Sequence, residues 1–232
     1  MTDGLVLCLD AAYKKSYPGS GTTWYDSSGY DNHVTLINNP TFNGSDISFD
    51  GTNDTARTIN NLNLSNTNAV SVDYFCKINT YGGNTGIIAV ELTSNFNSYS
   101  EGFYAGFNDG VSDTKPIVIA VRGSSGYNVS YWPKTLVNDA QWHHWCCIID
   151  KSQSGAETFL YIDGIYREGT FTSYNANNTN NFGSGHKLYF AARNNTSYYA
   201  NYNLSNFKFY NRALTATEVL QNFNATKERY GI

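Results

Sequence analysis

Charge is scarce in this sequence. Only 15% of its 232 residues are Asp, Glu, Lys or Arg, against about 25% in an ordinary globular domain. The 15 basic residues are outnumbered by 19 acidic ones, for a net charge of −4. An extended basic footprint for a phosphate backbone is therefore missing, and nucleic acid is not expected as a partner. Long apolar runs are missing too. The densest apolar cluster, Trp145 to Ile149, is strand length and far short of the ~20 residues that a membrane-spanning helix needs, so no membrane partner is expected. No basic region precedes the short apolar run of the N-terminus, MTDGLVLCLDAAYKK, so a secretory signal is read as absent or already removed. Cysteine is limited to Cys8, Cys76, Cys146 and Cys147, with no CxxC spacing for a metal. Free, mostly buried thiols are the expectation, and a single disulfide such as Cys8–Cys76 stays open, because spacing does not decide it.

What the chain has instead is aromatic and uncharged polar material. Aromatics make up 16% of it, with 19 Tyr, and there are 30 Asn and 20 Gly. Disorder needs low hydrophobicity and high net charge, so it is excluded for the bulk of the chain. The dominant hydrophobic period is two. Short strands are expected in GLVLCLD from Gly4, NAVSVDYFCKI from Asn68, GIIAVEL from Gly86, GFYAGF from Gly102, PIVIAVR from Pro116 and YNVSYW from Tyr127. More are expected in WHHWCCIID from Trp142, TFLYID from Thr158, LYFAAR from Leu188 and LSNFKFY from Leu204. Ten or more short strands broken by Gly, Asn, Asp and Ser clusters indicate an all-β sandwich or barrel. Asp163-Gly164 is the strongest hairpin signal, a two-residue type I′ turn. Thr215 to Glu218 matches a capping box and opens one short C-terminal helix striped by Val219, Leu220 and Phe223. With no composition shift, linker or internal repeat, residues 1–224 read as one domain and 225–232 as a short tail. The Asn-rich stretch 173–185 reads as a long loop of the kind that often carries function.

Four elements of the sequence, in order, resemble the LamG-like, concanavalin A-like jelly rolls. Trp24-Tyr25-Asp26-Ser27-Ser28-Gly29 with Asn32 is similar to the family's D-x-S-G-x-x-N turn. Phe49-Asp50-Gly51 with Asp54 is similar to its F-D-G-x-x-D element. Trp142-His143-His144 followed by Tyr161-Ile162-Asp163-Gly164 is similar to its W-H-H and Y-V-D-G pair, and Tyr210-Asn211-Arg212-Ala213-Leu214 with Glu218 to its closing Y-N-R-A-L-S-x-x-E signature. The resemblance implies an antiparallel two-sheet jelly-roll sandwich. The opening segment also looks like the leader of such domains in bacteriophage virion proteins. That likeness implies a structural or accessory protein at the virion surface, in a fibre, capsid decoration or adhesin. It would be made in the host cytoplasm and would carry lectin-like binding toward host surface glycans. Its expected partners are other virion proteins, with a homo-oligomer such as a trimer. Some members hold calcium through a carboxylate near the terminal strands. The last strand here offers Asn206 and no acid, so neither a metal nor any cofactor is expected.

The candidate sites follow from residue chemistry. Asp26, Asp50 and Asp54 offer oxygens to a hard cation, but their spacing fits no EF-hand, and Asp also closes turns by binding its own backbone, which is the reading adopted. His143 and His144 are adjacent and face opposite ways on a strand, so they cannot share a metal. Trp142 is expected in the core beside Ile148 and Leu160. A retaining hydrolase needs two carboxylates roughly 5 Å apart, and no glutamate here has an acid two or three residues away. The chain is read as non-enzymatic, with a polysaccharide hydrolase or lyase and a purely structural protein–protein module as the alternatives. Sugar recognition needs flat aromatic faces beside amide and hydroxyl partners. The loop residues Asn97, Tyr99, Tyr198, Tyr199 and Tyr202, with Trp132 at a strand end, supply that vocabulary and are the candidate carbohydrate-binding set. Tyr is also enriched at subunit interfaces, so interface packing competes for any one of them.

Overall fold

A computed structural model describes residues 2–79, 87–93, 102–107, 117–122, 127–137, 139–174 and 181–232. These form two sheets. The eight-stranded sheet runs, from one edge, β15 (Ile165–Arg167), β14 (Thr158–Ile162), β13 (Trp142–Asp150), β8 (Ala69–Ile78), β18 (Asn201–Tyr210), β5 (Ile47–Asp50) and β4 (Thr41–Phe42), with β1 (Leu5–Asp10) also paired to β18. The ten-stranded sheet runs β16 (Thr170–Tyr174), β12 (Tyr127–Trp132), β11 (Ile117–Arg122), β10 (Phe103–Phe107), β9 (Ile87–Thr93), β17 (Gly183–Phe190), β6 (Thr55–Thr58), β3 (Val34–Ile37) and β2 (Thr23–Trp24), with β7 (Leu62–Leu64) also paired to β17. The pairings are antiparallel, and the two layers pack as a jelly-roll sandwich.

Two-residue periodicity builds the core. Val70, Val72, Tyr74 and Cys76 of β8 share one face with Trp145, Cys147 and Ile149 of β13 and with Phe207 and Phe209 of β18. The opposite sheet contributes Leu92, Phe103, Ala105, Ile119, Val121 and Phe190. Aromatic pairs fasten the layers: Phe190 against Phe207 at 4.8 Å, Phe107 against Trp145 at 5.1 Å and Phe103 against Phe209 at 6.3 Å between ring centroids. Each such pair adds about 0.5–1.5 kcal/mol beyond its buried area. All four cysteines are free, and three of them are buried.

The same parity corrects the expectation for Trp142. It lies on the outward face of β13 with His144, Cys146 and Ile148, half-buried and 5.0 Å from the Tyr230 ring. Trp145, three residues on, is the core tryptophan of this strand. Ile148 therefore belongs to a second cluster under the helix, with Tyr210, Leu214 and Val219, while Leu160 stays in the main core.

That second cluster is covered by α1 (Ala216–Asn224). The Thr215 Oγ1 accepts the Glu218 N–H, the Glu218 carboxylate accepts the Thr215 N–H, and the Arg212 guanidinium donates to Glu218 at 2.7 Å. The tail beyond the helix is not loose. Residues 227–230 form a 3-10 turn whose Tyr230 ring stacks 4.3 Å from Phe75, and Arg229 pairs with Asp10 at 2.8 Å. At the Asp163-Gly164 turn both residues have positive φ, 54° and 76°, as a type I′ hairpin requires. Asp26 and Asp50 close turns as expected. Asp26 accepts N–H donors from Cys8, Ser28 and Asn32, and Asp50 Oδ1 accepts those of Thr52, Asn53 and Asp54.

Two expectations about element boundaries shift. β17 ends at Phe190 because Ala191 turns left-handed at φ 62°, and the strand begins at Gly183 rather than Leu188. The stretch 173–185 is correspondingly shorter as a loop, since β16 runs through Tyr174.

Candidate functional site

The outward face of the ten-stranded sheet gathers chemistry that the core does not use. Cross-strand register places Arg57, Tyr189, Glu91, Tyr104, Ala120 and Val129 in one row across β6, β17, β9, β10, β11 and β12. Their chain neighbours point inward, so the row points out. Val118, Ala120 and Val129 make a buried apolar floor, and Tyr104, Tyr127 and Tyr131 stand half-buried around it. Arg122 is on the same face, opposite Tyr127. Tyrosine suits this position because its ring covers a pleated surface while its hydroxyl reaches water.

The connection from β17 to β18 leans over this face. Ala191, Asn194, Asn195 and Tyr198 all adopt positive φ, between 50° and 62°, a conformation that costs roughly 1–3 kcal/mol for a residue other than glycine. The coil is held by the Arg193 N–H donating to the Ser197 carbonyl at 2.8 Å and by the Asn194 N–H donating to Glu91 Oε2 at 2.9 Å. The Arg193 guanidinium lies 5.0 Å from the Tyr198 ring centre. Glu91 is 1% exposed. Burial pushes its carboxyl up to about 7, against the downward pull of the Asn194 N–H and of the Arg193 and Arg122 charges. Among the described residues, the charged groups acting on Glu91 are those two arginines.

Of the candidate residues read from sequence, Tyr198 reaches this face and is 38% exposed. Tyr199 is half-buried, with its hydroxyl donating to the Asn195 carbonyl at 3.3 Å. Two candidates are corrected as ring platforms. Tyr202 is buried in the core, stacked 5.3 Å from Phe49, and its hydroxyl donates to the Ala89 carbonyl. Trp132 is buried as well, its Nε1–H donating to the Arg167 carbonyl at 2.8 Å. Its indole fills the space where the chain crosses between sheets, so closely that a Cβ on Gly169 would stand 2.5 Å from it. Neither ring can take a sugar without the sandwich opening. Asn97 and Tyr99 lie outside the described residues. Glu91, Tyr104, Arg122 and Tyr127 were not singled out from sequence. The available signal was parity: in YNVSYW, Tyr127 and Tyr131 share the face opposite to Trp132.

Residues 50–220, well over half of the chain, match the concanavalin A-like lectin/glucanases superfamily. The chain belongs to that superfamily. Comparison with curated protein sequences finds no match. Among solved structures, the superfamily member resembles the receptor binding domain of botulinum neurotoxin D, with a TM-score of 0.69 at 14% identity over 97% of this chain and 53% of that one. The binding domain of botulinum neurotoxin serotype G gives 0.69 at 16% identity, over 96% and 51%. The binding domain of botulinum neurotoxin DC in complex with rat synaptotagmin II gives 0.63 at 14%, over 96% and 51%. This chain spans about half the length of those domains, and at such identities the likeness is one of fold.

Proposed function

We propose that this chain is a non-enzymatic glycan-recognition module that binds through the outward face of its ten-stranded sheet. The observation that carries the reading is the set of half-exposed Tyr104, Tyr127, Tyr131 and Tyr198 rings around a floor of small apolar residues, with the Arg122 and Arg193 donors beside them, in a superfamily of lectins and glucanases. Rings accept the C–H faces of a pyranose, and guanidinium N–H groups take its hydroxyls. The botulinum neurotoxin D structure is a receptor binding domain by its own description, which supports recognition at a surface as a use of this fold. The setting we propose is the surface of a phage particle, in a fibre or capsid decoration, where repeated copies convert weak single-site affinity into avidity. The opening segment's likeness to virion proteins supports that setting. Docking to copies of itself or to other virion proteins is supported by Ile165, Tyr166 and Phe171. These are 56%, 50% and 38% exposed along the sheet edges β15 and β16.

A glycan array probed with multivalent wild type beside Tyr104→Ala/Tyr198→Ala tests the binding face. Binding by wild type and loss in the variant is the expected result, and equal binding removes the face from the proposal. Sedimentation and mass analysis of purified particles test the setting.

Catalysis is the second reading, favoured by Glu91 alone. A carboxyl near 7 is poised for proton transfer at neutral pH. Hydrolysis at a sugar also needs a second carboxylate, and the charged neighbours of Glu91 among the described residues are cations. Release of reducing ends from a bound polysaccharide, abolished by Glu91→Gln, would establish this reading over the first.

A further inference from the structure

Away from the sheet face, a groove of about 360 Å³ opens between β7 and the junction of β1 with the end of β18. A hollow of about 170 Å³ adjoins it, sharing Asn63, Leu64 and Asn211. Strand parity makes the lining. Leu62 and Leu64 of β7 turn inward and are buried, which sends Asn61 and Asn63 outward. Asn211 follows β18, anchored by its N–H donating to the Gly4 carbonyl. Asn32 is fixed by its Nδ2 donating to the Val6 carbonyl at 2.7 Å. Tyr30 stands at the rim, 65% exposed.

Among the described residues, the lining carries no charged side chain. Within the described residues, the side chains of Asn61, Asn66 and Asn211 make no hydrogen bond. Asn63 uses its Oδ1 for Ser65 and keeps its Nδ2 donors. Each carboxamide offers two donors and an acceptor side by side, the pattern that vicinal hydroxyls complement. Among the described residues no hydrogen bond uses the Asn61 and Asn211 amides, so turn closure does not account for them. The volume falls within the roughly 300–1,000 Å³ of ligand pockets.

We propose that this groove is a second glycan site, selective for neutral oligosaccharides, with Asn61, Asn63 and Asn211 as hydroxyl partners and Tyr30 as the ring platform. It goes beyond the sheet-face reading and depends on it in no step. An uncharged lining gives an anionic sugar nothing to repay its desolvation, so acidic glycans are refused here.

The test is amide NMR on the isotopically labelled full chain, titrated with maltotriose, cellotriose, mannotriose and chitotriose, and with trigalacturonate as the acidic arm. At least one neutral trisaccharide should shift the side-chain NH₂ signals of Asn61, Asn63 and Asn211 saturably, without sensitivity to salt. Asn61→Ala/Asn211→Ala should weaken that binding at least about tenfold with an unchanged thermal midpoint, since neither side chain is hydrogen-bonded among the described residues. Tyr104→Ala/Tyr198→Ala should leave it unchanged. Silence of those amides toward all four neutral sugars overturns the proposal, as does stronger binding of trigalacturonate or full binding by the Asn61→Ala/Asn211→Ala variant. Groove signals that move while the sheet face stays silent sustain this proposal and remove the other. Shifts confined to the sheet face do the reverse.

Discussion

The two sheets of this sandwich turn very different outward faces to their surroundings, and each buries a carboxylate. On the eight-stranded sheet, Asp73 lies under α1 at 1% exposure. It accepts from His144 Nε2 at 2.9 Å and Asn222 Nδ2 at 3.1 Å, with the Lys208 ammonium 3.9 Å away. Burial works to raise its pKa, but those partners outweigh burial and hold it below the ordinary value. On the ten-stranded sheet, Glu91 is equally buried, yet among the described residues its N–H bond from Asn194 and two nearby arginines do not overcome burial, and it rises to about 7. A carboxylate saturated with donors clamps a helix to a sheet. One that is undersupplied is a site where a proton or a ligand can make a difference. Burial alone does not separate the two; the donor count does.

The largest test of that contrast removes a donor from the saturated side. His144→Ala should cost about 3–5 kcal/mol in denaturant unfolding, because it strips the main partner from a buried charge. A loss under about 1 kcal/mol would mean that Asn222 and Lys208 suffice on their own. Trp132→Ala should be as severe, about 3–5 kcal/mol from the cavity it leaves. Sugar binding measured on whatever protein remains folded should be unchanged, since the ring faces the core.

Glu91→Gln reads the undersupplied side. The folded value near 7 lies above the ordinary 4.5, so the fold favours the protonated form. The stability Glu91 contributes is full below about pH 4.5 and is lost as pH rises to about 7, by up to about 3 kcal/mol. The variant should lack that slope and exceed wild type in stability above neutrality. Parallel pH profiles would show that Glu91 titrates normally and that its arginines hold it ionised. A smaller effect is expected for ligand binding. Each of Tyr104→Ala and Tyr198→Ala should weaken glycan affinity by about 1 kcal/mol, roughly fivefold.

The strands of the core were legible wherever alternation ran for five residues or more, as in β8, β13 and β18. The two- to four-residue strands β2 to β7 were not, because their polar, threonine-rich segments look like loop and owe their pairing to distant partners such as β17. The proposed face was legible only in part. Tyr198 was a candidate from sequence because it sits in a visible loop. Tyr202 was misplaced because β18 starts three residues earlier than its apolar pattern does. Glu91 hid inside an apolar run, since its depth depends on β10 and β17 packing on either side, which no local window contains.

The finest test separates His143 from its neighbour His144. The two are adjacent, on opposite faces of β13, and both bind aspartate. His143 donates from Nδ1 to Asp163 at 2.8 Å and from Nε2 to Asp139 at 3.1 Å, joining the hairpin turn to the loop before the strand. Burial lowers its pKa, but the two carboxylates outweigh it and raise the folded value above 6.5. Its contribution is therefore full below about pH 6.5 and disappears as pH climbs past the folded value. Asp139 is half open to water, so screening keeps the effect under about 1 kcal/mol. His143→Gln should thus lose a few tenths of a kcal/mol near pH 6 and almost nothing near pH 9. A deficit that instead persists at high pH would place the work of His143 in packing rather than in charge.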